Sequence, residues 1–158
     1  MKRAFRLALL FVLGFLFDWW WRRYLSIGGL SPDWLLVATV ALSGLQGPVY
    51  GQSFGFPWGL GLDTLAVRLF GGRALLFTLT GFIVGSARRQ TDLSGPGSQF
   101  VMMALITVAY ALALGVVGAV FGPGFLWPGW KAFLFLPLFN AAAAPFVFIV
   151  VERVLARK

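Results

Sequence analysis

Hydrophobic and polar positions along this chain alternate on the scale of whole helices. Six apolar runs, at about 4–21, 34–49, 54–70, 74–87, 100–121 and 132–151, are separated by short stretches rich in glycine, proline, serine or charge. An α-helix needs about 20 apolar residues to cross ~30 Å of hydrocarbon, so the pattern predicts six membrane helices, several of them short. The first run closes on Trp19, Trp20, Trp21 and Tyr24, a belt of the kind that settles at a membrane–water interface. A polar linker from Thr91 to Gln99 precedes the fifth run, and a turn rich in proline and tryptophan from Gly122 to Trp130 precedes the sixth.

The stretch from Trp34 to Phe70 cannot be one helix. Its 37 residues would extend for about 55 Å. Glycines at 44, 47, 51, 55, 59 and 61, with Pro48 and Pro57, supply a break. Two arrangements satisfy the pattern, a pair of short spanning helices or a re-entrant hairpin, and the pair of helices is favoured. The early part of the glycine ladder, around Pro48, is expected to be turn.

Composition fixes the solvent. Fifty-nine per cent of the 158 residues are apolar and 11% are charged, against about 25% charged in a soluble domain. The expected architecture is therefore a single all-α membrane domain over residues 1–158, with a lipid bilayer around it. Basic residues before the first run suggest a signal peptide, but Asp18, three tryptophans and two arginines follow in place of small cleavage-site residues. The expectation is a retained first helix. The net charge of +8 sits in groups at the run ends (Lys2, Arg3 and Arg6; Arg22 and Arg23; Arg88 and Arg89; Arg153, Arg157 and Lys158), where it orients helices and anchors headgroups. With no basic stripe outside the runs, nucleic acid is not an expected partner. Six spans with both termini inside place eight basic residues in the cytoplasm, and Arg22, Arg23, Arg68, Arg73 and Lys131 outside. The bias favours both termini in the cytoplasm.

Chemistry is sparse. The chain has no His and no Cys, which excludes thiolate catalysis, disulfides and ordinary zinc or haem ligation. The only lysine away from the termini is Lys131, and no phosphate-binding loop is present. Neither an enzyme nor a cofactor is expected. Asp63 is the most informative side chain, an acid inside the apolar run Gly55 to Val67, where carboxylates are paired or functional. The favoured reading is structural, a position near the wet interface or a pair with Arg73 or another helix, ahead of an ion or substrate site. Arg68, five residues on, is poorly placed on the same helix face. Glycines at 47, 51, 55 and 59, at 81 and 85, and at 118 and 122 have the spacing that lets membrane helices touch. Asn140, followed by four alanines and Pro145, can hydrogen-bond across helices at a kink.

Four pieces in order carry a resemblance: SPDW (Ser31 to Trp34), GFPWGLGLD (Gly55 to Asp63), GGRALL (Gly71 to Leu76), and Asn140 with Pro145 ahead of a basic tail. Together the chain resembles the MreD family of bacterial rod-shape-determining membrane proteins. The resemblance is firmest over residues 31–85. Pro57 and Trp58 depart from that family's pattern and suggest a later start for the third helix. The resemblance implies a non-enzymatic scaffold of the cell-elongation machinery in the bacterial inner membrane. Its partner would be an MreC-type single-span protein, and through it the MreB filament and the peptidoglycan synthases; self-association into a homodimer stays open.

The same resemblance implies a fold similar to the substrate-binding subunits of energy-coupling-factor transporters, and from it a second function, small-molecule capture. Against capture stand the few polar residues of the helices and the bulky first run. The candidate partner-binding or core residues are Gly55, Phe56, Gly59, Asp63, Arg73 and Asn140, with the glycines and the acid expected to flank a partner groove.

Overall fold

A computed structural model describes residues 2–26, 28–65, 69–90, 93, 95–122 and 124–156. Arg68, Arg157 and Lys158, to which the sequence assigns a possible ion pair and an anchoring tail, lie outside the described residues, as do Thr91, Asp92 and Ser94 of the polar linker. The fold is all-helical. Among the described residues six helices follow one another: α1 (Lys2–Tyr24), α2 (Trp34–Gln46), α3 (Pro48–Leu65), α4 (Gly72–Ala87), α5 (Pro96–Phe121) and α6 (Trp130–Ala156). Two of them, α5 and most of α6, are long and apolar enough to cross a membrane.

The break in the 34–70 stretch is a single residue. Gly47 adopts φ 98°, a left-handed conformation that glycine accepts without a Cβ clash. Pro48 then opens α3, where its missing N–H costs nothing. The expected turn around Gly51 is therefore helix, and α3 starts earlier than the sequence suggested. Pro57 lies inside it and removes one ladder bond without ending the helix. At its far end α5 begins four residues ahead of the expected boundary, with Pro96 in its first turn. Helix α6 runs through both Pro137 and Pro145.

Close contacts set the packing. A Cβ on Gly59 would meet the Ala74 Cα at 2.5 Å, one on Gly55 the Phe77 carbonyl oxygen at 2.8 Å, and one on Gly81 the Gly51 carbonyl carbon at 2.6 Å. The ladder thus joins α3 to α4, backbone on backbone and antiparallel. Gly55 and Gly59 therefore belong to the structural core, with α4 of the same chain filling the face they present. Phe56 alone among the candidates points outward, 53% exposed.

Helix α2 is the centre of the molecule. It packs against α1, α3, α4 and α6, and Leu35, Leu36, Val37, Ala41 and Leu42 have no exposed surface. Trp58 of α3 is equally buried. Its ring stacks on Phe11 of α1 at 5.6 Å, and its indole N–H donates to the Phe11 carbonyl oxygen at 3.0 Å. The surface, by contrast, is apolar along α1 (Leu9, Val12, Leu13, Leu16) and α5 (Val101, Leu105, Leu112, Val116, Val120).

Candidate functional site

Polar groups collect at one end of the bundle, where α1, α3 and α5 finish and α2, α4 and α6 begin. A helix start leaves four backbone N–H groups without intrahelical partners, and this chain meets that need with buried side chains. Asp63, 2% exposed, sits at the start of α4. Its carboxylate accepts from the Arg73 backbone N–H at 3.0 and 3.2 Å and from the Ala74 N–H at 3.0 Å. The acid is paired, but with backbone amides at a helix N-terminus, where negative charge is also favoured by the helix dipole. The guanidinium of Arg73 takes no part.

The start of α2 is held in a different way. The Asn140 side-chain oxygen accepts from the Asp33 N–H at 2.7 Å, and its amide nitrogen donates to the Thr107 hydroxyl at 3.1 Å. One buried amide therefore ties α6 to both α2 and α5. Arg22 supplies the second tie. Its guanidinium donates to Asp18 at 2.6 Å and to Asp33 at 2.8 Å, joining the end of α1 to the start of α2. Asp18 is 1% exposed and faces the backbone amide of Trp34. Trp21 turns inward with it and meets Trp34 edge to face at 4.9 Å, so only Trp19, Trp20 and Tyr24 of the aromatic belt lie exposed.

These groups surround a cavity of about 190 Å³. Arg22, Asp33, Arg73, Thr107, Tyr110 and Asn140 line its polar side. The sequence suggested that the helices offer too few polar residues to converge on one cavity; six do so, because they come from five separate helix ends and interiors. Of the candidate residues, the structure brings Arg73 and Asn140 to this cavity, holds Asp63 just behind it, and leaves Gly55, Gly59 and Phe56 elsewhere on α3. Asp18, Arg22, Thr107 and Tyr110 were not among the candidates. The four-residue spacing of Asp18 and Arg22, which puts opposite charges on one helix face, was a signal that could have found the first two.

No metal cluster of acidic residues occurs among the described residues. Comparison of the chain with family models, with curated proteins and with solved structures returned no match.

Proposed function

We propose that this chain is a six-span scaffold of the bacterial inner membrane, acting without catalysis in the cell-elongation machinery by binding an MreC-type single-span protein. The observation that carries the reading is convergence. Parts of the sequence pieces that resemble the MreD family meet in two pairs at one end of the bundle: Asp33 of SPDW on Asn140, and Asp63 of the glycine-bearing helix on the amides of Arg73 and Ala74 in GGRALL. Each of these two contacts holds a helix start, that of α2 and that of α4. The apolar surfaces of α1 and α5 suit lipid or a partner's spanning helix, and buried capping acids suit a medium without water. Both termini would lie in the cytoplasm.

Co-purification with the MreC-type protein of the same organism in mild detergent, read by native mass spectrometry, tests this. A defined complex is expected. A chain that stays monomeric in the presence of that partner overturns the scaffold.

The polar cavity favours a second reading, a small-molecule capture subunit of the energy-coupling-factor type. The same experiment separates the two, since a capture subunit would ignore the MreC-type protein and retain a metabolite.

A further inference from the structure

One strong donor at the cavity is unused. The backbone of Arg73 is engaged with Asp63, but among the described residues its guanidinium donates no hydrogen bond and joins no ion pair. Its five N–H groups cannot be deprotonated and demand acceptors. Tyr110 stands across the same space, its ring held edge to face on Phe77 at 5.6 Å. The sealed side-chain polar atoms without partners are the indole nitrogens of Trp21 and Trp34, so the Tyr110 hydroxyl, which makes no hydrogen bond among the described residues, opens onto the cavity.

The surrounding carboxylates are already engaged. Asp18 and Asp33 share Arg22, and Asp63 takes the amides of α4. Asp33 gives Oδ1 to Arg22, and Arg73 is the lining cation whose guanidinium joins no ion pair among the described residues. Leu114, Leu126, Phe133 and Leu136 supply apolar lining to the same cavity. The volume of about 190 Å³ exceeds the ~150 Å³ of an engineered apolar cavity that takes up benzene, leaving room for a ring-sized body and one small head group.

We propose that this cavity binds a compact organic carboxylate, its head between the Arg73 guanidinium and the Tyr110 hydroxyl and its apolar body against Leu114, Leu126, Phe133 and Leu136. The site stands with either reading of the function, because a scaffold can carry a ligand that a capture subunit would require.

Benzoate and its uncharged isostere benzamide are the probes, titrated calorimetrically into the purified full chain in detergent, with no partner protein present. Saturable benzoate binding is expected, with benzamide weaker by about tenfold or more, the usual margin for a charge-assisted hydrogen bond. Arg73→Gln should lose the same factor and still melt near the unaltered chain, since the Asp63 contacts are to backbone. Tyr110→Phe should weaken benzoate a few-fold and leave benzamide less affected. Equal affinity for the two probes, absence of saturation, or full benzoate affinity in Arg73→Gln overturns the site. Should Arg73→Gln fail to fold, the probe comparison on the unaltered chain and the Tyr110→Phe titration decide alone. A co-purifying phospholipid released by benzoate would place a lipid headgroup there and overturn the small-molecule assignment. Because no partner enters the titration, its failure leaves the scaffold reading intact.

Discussion

At Asp63 a carboxylate gives up bulk water and receives two backbone N–H donors in return, one of them shared between its two oxygens. Removing it strands the first amides of α4 in a buried place. Asp63→Ala should therefore cost about 1–3 kcal/mol and lower the unfolding midpoint in detergent by several degrees. Asp63→Asn, which keeps one acceptor oxygen, should fall between it and the unaltered chain. An equal midpoint for all three proteins would remove the capping role. Asn140→Leu, close in volume, strands the Asp33 N–H and one side of Thr107; a loss of about 1–3 kcal/mol is expected in the same assay. The acid at 63 was legible as a buried, paired charge, because an apolar run makes any carboxylate conspicuous. Its partners were not, since backbone amides carry no residue-type signature. Asp18 was less visible still: it lies where an apolar run ends, and such a position reads as wet until the fold closes over it.

Between elements, the closest approach is the α3–α4 face, where glycines and Ala74 let the backbones touch. A side chain there must push two helices apart. Gly59→Leu and Gly81→Ala should each destabilise the fold, by about 1–3 kcal/mol. In contrast, Gly97 in the first turn of α5 has nothing within 4 Å of an added Cβ, and Gly97→Ala should be neutral or stabilising by up to about 1 kcal/mol. Thermal unfolding of the three variants in one detergent checks the contrast, and similar shifts for Gly81→Ala and Gly97→Ala would refute it. The existence of α5 and α6 was readable because each is a long uninterrupted apolar run. The boundary between α2 and α3 was misplaced because Gly47, Gly51 and Gly55 look alike in sequence, whereas only Gly47 needs the left-handed backbone. The remaining two need close approach, which depends on α4 and so on a neighbour that local pattern does not name.

For the whole molecule, the contacts make the helices alternate in direction from first to last, so α1 begins and α6 ends at the same end of the bundle. Arg88 and Arg89 belong to that end, and Lys131 to the other, together with the cavity. The absence of native cysteine makes this directly measurable. A single cysteine at Arg89 should be protected in intact cells from a membrane-impermeant maleimide, and one at Lys131 should react; labelling of both from outside would refute the proposed orientation. The number of helices was legible because glycine, proline and polar stretches separate six apolar runs. The identity of the central helix was not, since α2, although more apolar than the helices it touches, is less apolar than α5, whose surface is largely exposed. That centrality bears on how the protein is made. Helix α2 has 13 residues, about 20 Å, and its buried face looks for α1, α3, α4 and α6 together. Of the helices packed on it, α1 is synthesised before α2, and α3, α4 and α6 after it. Helix α2 therefore reaches its fully buried environment only after α6 has been made and has closed around it.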